Sequence, residues 1–178
     1  MSTFKLHVQT ENYISWKAAI VANYANIKLS IETHANPKDF DTLSISGKSP
    51  VLETPHGNIS GSNTITKYLS SIRPESGLNG NSFYQQIQVN EWLDFSNNQL
   101  EPARAIWLLP VLKQMDFSQR TYFQAKKEVT NALKTLDTYL ATNTYLVGQS
   151  ITLADITIST ALVDLYTTVL GEKAQETY

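Results

Sequence analysis

Alternating apolar and polar residues in two short segments near the start of this chain restrict its fold more than any other feature. The pattern runs from Phe4 to Val8 and returns from Leu29 to Thr33, as expected of two β-strands. Between them, Tyr13 to Tyr24 form a Trp- and Ala-rich stretch long enough for three helical turns. Because a crossover of this length favours a parallel strand pair, we predict an opening β-α-β unit.

The next residues predict a hairpin and a helix. After a polar connection, Val51 to Thr54 read as a short strand, and residues 58–60 form its partner across a Pro-His-Gly turn. Ser62 opens a helix whose apolar residues recur on one face. These residues are Ile65, Tyr68, Leu69 and Ile72. The first 73 residues are therefore predicted to be β-α-β-β-β-α.

A stretch rich in helix and strand breakers follows at residues 73–81, and no alternating pattern appears after it. We therefore place a domain boundary there, between residues 1–74 and residues 82–178. The second domain begins with a long helical stretch that we expect to be bent or broken near Pro102 and Pro110.

Two more helices are predicted in the second domain. Residues 118–142 carry one apolar face, formed by Ala125, Val129, Leu133, Leu136 and Leu140. Residues 153–170 are apolar on nearly all sides, as expected of a helix in the middle of a bundle. Thr152 is predicted to cap this last helix, with the Asp155 carboxylate reaching back to the Thr152 amide. We interpret Thr152 and Asp155 as structural residues.

Composition and charge exclude several classes of function. The chain has 178 residues, of which 42% are hydrophobic, enough for a core in one large or two small domains. A net charge of −2 gives no basic surface for nucleic acid, so no direct nucleic-acid partner is expected. Without Cys, disulfides and thiolate chemistry are impossible. Lacking an apolar run of about 20 residues and a targeting signal, the chain is expected to be cytoplasmic, without a membrane partner.

The histidines and most aromatic residues are expected to be structural. His7, His34 and His56 lie far apart in the sequence, with no Glu or His at metal-ligand spacing, so we expect them at the surface or on strand edges and expect no metal. The aromatic residues of the second domain lie at helical spacings typical of a core rather than of a ligand cage. They are Trp92, Phe95, Trp107, Tyr122, Phe123 and Tyr139.

Two local features point to a binding site. Pro50 enters a strand from a loop, which favours a cis peptide bond and leaves backbone groups of Val51 free. Ser62 precedes a helix whose first amides can bind an anion, so a carboxylate can lie between the Ser62 hydroxyl and the Asn63 amide. The alternative is that Ser62 only caps its helix.

These motifs, with Tyr145-Leu146-Val147-Gly148 and the segment from Ser150 to Asp155, resemble the cytosolic glutathione transferases over nearly the whole chain. Within that superfamily the chain is similar to the transferase-like domains of elongation factor 1 gamma subunits. The residues of this narrower similarity are Glu11-Asn12-Tyr13, Trp92, Phe95, Pro102, Ala103, Trp107, Pro110 and Leu112.

The resemblance implies an α+β fold, with a thioredoxin-like N-terminal domain and an all-helical C-terminal domain. Because the chain stops soon after Leu170, we expect the helical domain to be incomplete at its C-terminal end, with lower thermal stability or oligomerisation.

The resemblance also implies site residues. In glutathione transferases, the residue after the cis-proline holds the cysteinyl backbone, and that residue is Val51 here. Ser62, with the Asn63 amide, would hold the γ-glutamyl carboxylate, and Lys48 would hold the glycyl carboxylate. Gly61 replaces the acidic or amide side chain usual before this serine, so weaker affinity is expected.

Catalysis in this superfamily needs a hydroxyl near the end of the first strand, which stabilises the glutathione thiolate. Thr10 is the candidate, and Tyr13 and Ser15 are the next within reach.

Three functions remain open at this point. The first is a scaffold, not catalytic or only weakly so, that holds the guanine-nucleotide exchange subunit of the elongation factor 1 complex. The second is a glutathione transferase that conjugates glutathione to electrophiles, and the third is an interaction domain of an aminoacyl-tRNA synthetase assembly. The partners implied are the exchange subunit, aminoacyl-tRNA synthetases or a second copy of this chain. No cofactor is expected, and glutathione enters as a weak ligand or substrate.

Overall fold

The fold contains four strands and six α-helices among the residues described by a computed structural model, which are residues 4–9 and 13–170. The strands are β1 (Phe4–Val8), β2 (Leu29–Thr33), β3 (Val51–Thr54) and β4 (Gly57–Ser60). The helices are α1 (Tyr13–Tyr24), α2 (Ser62–Ile72), α3 (Phe83–Phe95), α4 (Glu101–Val111), α5 (Gln119–Leu140) and α6 (Leu153–Thr168). The predicted β-α-β-β-β-α order and the later helices are confirmed.

The four strands form one mixed sheet in the order β2-β1-β3-β4. β1 and β2 are parallel, with Phe4 opposite Leu29, as the crossover length predicts. β1 and β3 are antiparallel, with Leu6 opposite Leu52, and the β3–β4 hairpin completes the sheet. β1 is therefore central and β2 is an edge strand.

The two faces of the sheet have different environments. Leu6 and Leu52 are buried and belong to a core that also contains apolar residues of α1 and α2. His7 points to the opposite face, because neighbouring residues of a strand alternate between faces. A 3-10 turn, Pro37–Asp41, follows β2, and its buried Phe40 contacts the His34 ring with 5.4 Å between ring centroids. The second face is thus polar at β1 and partly covered by this turn.

The helical part begins with two helices that are joined by a π-helical segment. α3 continues through a π-helical segment, Ser96–Leu100, directly into α4. Pro102 lies in the first turn of α4, directly after the π-helical segment, and Pro110 lies near its end. Near Pro102, where a bend or break was predicted, the chain stays helical and only the helical winding changes, from α to π and back, just before the proline.

α6 is the most buried helix, as its apolar sequence predicts. Its buried residues are Leu153, Ala154, Ile156, Thr157, Ile158, Thr160, Ala161 and Leu165. The main apolar cluster combines residues of α6 with residues of β1, α1 and α2, so one core joins the two parts of the chain. Among residues 4–9 and 13–170, no helix combines the length and the hydrophobicity that a membrane span requires.

Two predicted core residues of α5 are exposed instead. Phe123 is 56% exposed and Leu140 is 45% exposed. Phe123 lies off the stripe that buries Ala125 and Val129, while Leu140, at the C-terminal end of α5, borders an open groove between α5 and α6. Helical spacing predicts a shared face, but burial also needs another element on that face.

Candidate functional site

The loop before β3 and the end of β1 form one side of the site. The Ser49–Pro50 peptide bond is cis, as predicted, and Val51 begins β3. The Gln9 amide donates a hydrogen bond to Ser49 Oγ over 3.1 Å. This contact holds the loop beside the end of β1. Val51 is opposite His7 in the β1–β3 register, and the whole residue is 0% exposed.

The start of α2 forms the second side. The amide of Gly61 donates to the Pro50 carbonyl over 3.3 Å, which joins the two sides. Gly61, and not Ser62, is the N-cap residue, with a φ of 92° that disfavours any residue with a side chain. Ser62 is the first residue of α2, and within the described chain no side chain caps this helix. The alternative that Ser62 only caps its helix is therefore contradicted, and the first amides of α2 keep their capacity to bind an anion.

Lys48 lies in an exposed turn two residues before the cis-proline. Its amide donates to Ser44 Oγ over 3.0 Å, and Ser44 Oγ in turn donates to the Lys48 carbonyl over 3.3 Å. The turn is thus fixed by its own hydrogen bonds, while the Lys48 side chain reaches solvent. Lys48, Val51 and Ser62 are brought to the same end of the sheet.

The three candidate hydroxyls differ in what the structure says of them. Thr10 lies outside the described residues, and so do Glu11 and Asn12. Tyr13 begins α1, and only its backbone is described. Ser15 lies in the first turn of α1 and is 0% exposed, so its hydroxyl cannot contact a ligand at the surface.

A buried lysine beside the site could not be recognised from spacing alone. Lys17 of α1 is only 3% exposed, and its Nζ donates a hydrogen bond to Asn63 Oδ1 in the first turn of α2. Asn63 Nδ2 donates to Asn97 Oδ1 over 3.0 Å, in the π-helical segment. Burial lowers the pKa of Lys17 to about 8, while the negative charge of Glu101 acts in the opposite direction. One feature of the sequence could have indicated a special role for Lys17, because it is the sole charged residue of an apolar helix.

A second buried cation, Arg104, forms ion pairs in the helical part of the chain. Arg104 Nε donates to Glu101 Oε2 over 3.1 Å, and Arg104 Nη1 donates to Asp164 Oδ2 over 3.4 Å. Arg104 is buried, and its two carboxylate partners on α4 and α6 compensate its charge. Polar groups of α1, α2, α4 and α6 thus meet where the two parts of the chain join.

The Asp155 carboxylate acts as a structural acceptor. Asp155 Oδ2 accepts a hydrogen bond from the Thr152 amide over 2.8 Å, which confirms the predicted contact. Asp155 Oδ1 also accepts from the Leu146 amide over 2.9 Å, a contact that the sequence does not reveal. The Leu146 carbonyl accepts from Trp92 Nε1 and from the Tyr139 hydroxyl. This carboxylate therefore fixes both the start of α6 and the loop before it.

The histidines are not all isolated. His7 Nδ1 and His34 Nε2 lie 2.9 Å apart, although the residues are far apart in the sequence. His7 is buried, contrary to its expected surface position, because it lies on the central strand. The parallel register that places His7 opposite Glu32 was a signal that could have revealed this group. His56 is exposed in the β3–β4 turn.

Comparisons with known proteins agree with the sequence motifs. A family model described as "Glutathione S-transferase, C-terminal domain" matches residues 100–178. Elongation factor 1-gamma of Artemia salina is 35% identical over 98% of this chain and 41% of its own length. Probable elongation factor 1-gamma 1 of Arabidopsis thaliana is 35% identical over 94% of this chain and 42% of its own length. The chain thus spans about two fifths of the length of these relatives, and its predicted resemblance is confirmed.

Solved structures confirm the fold. Glutathione transferase F2 from Populus trichocarpa has a TM-score of 0.82 at 14% identity, covering 93% of this chain and 83% of its own. A diazinon-metabolizing glutathione S-transferase of the silkworm Bombyx mori has a TM-score of 0.79 at 18% identity, covering 97% and 85%. At such low identity these likenesses concern the fold alone.

Proposed function

On the premise that this chain has the glutathione transferase fold and a sequence similar to elongation factor 1-gamma, we propose that it is a protein-binding scaffold of the translation elongation factor 1 complex. Its partner in this role is the guanine-nucleotide exchange subunit. The observation that carries the proposal is the 35% identity to the Artemia salina protein over 98% of this chain. A cytoplasmic location goes with this role.

The geometry of the site supports a scaffold over an enzyme. Both polar ends of the Asn63 side chain are engaged within the protein, one by Lys17 and the other by Asn97. Gly61 offers no side chain to the amine of a γ-glutamyl group. Ser15, one of three candidate hydroxyls, is buried. The hydrogen bonds of the Asn63 side chain thus hold the two parts of the chain together and do not serve a bound substrate.

The start of α3 offers a surface for a protein partner. Phe83 and Tyr84 are 79% and 71% exposed, and Ile87 lies one helical turn later and is also exposed. Aromatic residues are enriched at protein interfaces, where their burial contributes much of the binding energy. We therefore assign the exchange subunit to this surface, which we call the α3 surface.

Titration calorimetry with the purified exchange subunit tests the scaffold role. We expect a complex with the unchanged chain, and we expect the double variant Phe83→Ser, Tyr84→Ser to bind on the order of tenfold or more weakly. The matched control is Phe123→Ser, which removes an exposed aromatic ring on α5. Absence of any complex with the unchanged chain would refute the scaffold role. Equal losses in both variants would refute only the assignment to the α3 surface.

Weak glutathione binding is a second proposal, favoured by a specific observation. The cis-proline loop and the uncapped start of α2 are joined by the hydrogen bond from Gly61 to Pro50, so the backbone groups for the tripeptide lie together. Titration with glutathione should show binding that Ser62→Ala weakens and that Ser71→Ala, at the other end of α2, leaves unchanged. Turnover of 1-chloro-2,4-dinitrobenzene in the same samples would instead establish a transferase.

A further inference from the structure

We propose that His7, His34 and Glu32 bind one divalent transition-metal ion, with Zn²⁺ as the ion that suits the ligands. Each of the three side chains offers one ligand atom, and the three atoms lie within 4.8 Å of one another. The His34 Nε2 atom is 2.9 Å from His7 Nδ1 and 3.7 Å from Glu32 Oε1. This proposal replaces the expectation of no metal, whose premise was that the histidines are isolated.

The backbone holds the three residues in place. His7 on β1 is directly opposite Glu32 on β2 in the parallel register. His34 follows the end of β2, and its amide donates to the Val8 carbonyl over 2.8 Å. The ligands therefore stand on adjacent strands and on a residue tied to them, so little ordering is needed on binding.

The outer ring nitrogens contact carboxylates, as is usual for metal-binding histidines. His7 Nε2 lies 3.2 Å from Glu53 Oε2, and His34 Nδ1 lies 3.4 Å from Asp39 Oδ2. Because an ionised carboxylate only accepts hydrogen bonds, a proton on each outer nitrogen satisfies these contacts. In that tautomer the inner nitrogens, His7 Nδ1 and His34 Nε2, present their lone pairs to the space between the rings, where a cation can bind.

Charge and access also favour a cation. Three carboxylates, those of Glu32, Asp39 and Glu53, surround the two rings. Lys5 Nζ contacts Glu32 Oε2 over 3.2 Å, which leaves Oε1 on the side of His34. His7 is buried, whereas Glu32 is about half exposed, so an ion can enter from the solvent side.

The ligand set selects the class of metal. Imidazole nitrogens suit Zn²⁺, Cu²⁺ and Ni²⁺, whereas Mg²⁺ and Ca²⁺ prefer oxygen ligands. Zn–N bonds of about 2.0–2.1 Å at a tetrahedral angle place two nitrogens about 3.3 Å apart. From the 2.9 Å of the structure, the rings need to separate by about 0.4 Å. Two histidines and one carboxylate leave the fourth position of zinc for water.

Competition with a chromophoric chelator, using the tag-free full chain and Zn²⁺, tests the proposal. We expect one Zn²⁺ per chain, with affinity lowered on the order of 100-fold by His34→Gln and on the order of tenfold by Asp39→Asn. His56→Gln is the matched control, because His56 is exposed and lies outside the cluster. Addition of Co²⁺ to the unchanged chain should give visible d–d absorption that His34→Gln abolishes.

Two results would overturn the proposal. One is Zn²⁺ binding by the unchanged chain no tighter than by His34→Gln, which would mean that the ring nitrogens share only a proton. The other is an equal loss of affinity in His56→Gln. The decision rests on His34, because its side chain is less buried than that of His7 and its replacement leaves His7 in place. Binding of the exchange subunit is measured separately, so each proposal can fail without the other.

Discussion

Lys17 should make the stability of this protein rise with pH in the alkaline range. Burial lowers the pKa of this lysine from 10.5 to about 8 in the folded chain, with Glu101 opposing the shift. In the unfolded chain the ordinary value returns. Between about pH 8 and pH 10.5, the unfolded chain therefore binds one more proton at this position than the folded chain, and stability rises with pH.

The size of the effect follows from the two pKa values. Below pH 8, Lys17 is protonated in both states, and its burial as a cation is a constant cost. Between pH 7 and pH 9 the folded chain loses this proton and the unfolded chain keeps it, which adds about 1.3 kcal/mol to the free energy of unfolding. The side chain is 3% exposed, so solvent does little to screen this effect.

Urea denaturation of the unchanged chain and of Lys17→Met, measured in parallel from pH 7 to pH 9, isolates this contribution. The difference in unfolding free energy between the two chains should rise by about 1.3 kcal/mol over that range in favour of the unchanged chain. Other titrating groups cancel in the difference. Lys127→Met, at an exposed position of α5, should give a flat difference. A flat difference for Lys17→Met as well would refute the lowered pKa.

Three further substitutions test the packing, each by urea denaturation at pH 7. Asp155→Ala should lower the unfolding free energy by about 2–3 kcal/mol, because the Leu146 and Thr152 amides both lose their hydrogen-bond acceptor. A loss below about 0.5 kcal/mol would contradict the structural role of Asp155. Leu69→Ala should cost about 2–5 kcal/mol, because the side chain is fully buried. Trp107→Phe should cost about 1–2 kcal/mol, because it removes the indole N–H that donates a hydrogen bond to the Tyr122 hydroxyl.

Most of the fold could be predicted from local sequence patterns. The strands at Phe4–Val8 and Leu29–Thr33 and the helix Tyr13–Tyr24 have the predicted bounds, because each segment shows its own periodicity and is flanked by polar residues. The burial of α6 also followed from its composition. In contrast, the exposure of Leu140 depends on whether another element covers the end of α5, and a pattern within one helix does not contain that information.

The site was predictable only in part, because its contacts join distant residues. The cis bond before Pro50 and the approach of α2 follow from short motifs. Lys17 and Asn63 are separated by 46 residues, and His7 and His34 by 27, so both contacts exist only after the strands and helices assemble. The position of the cap at Gly61 was missed because a serine next to a glycine equally fits the first helical residue.

The hydrogen bonds from Lys17 to Asn63 and from Asn63 to Asn97 also bear on how the two parts of the chain can move. Apolar surfaces slide over one another at little cost, but a donor must meet its acceptor at one distance and one angle. A hinge motion that opened this joint would leave a buried ammonium group without its acceptor. We therefore expect the width of the site to stay the same when a ligand binds, without closure of the two parts of the chain around the ligand.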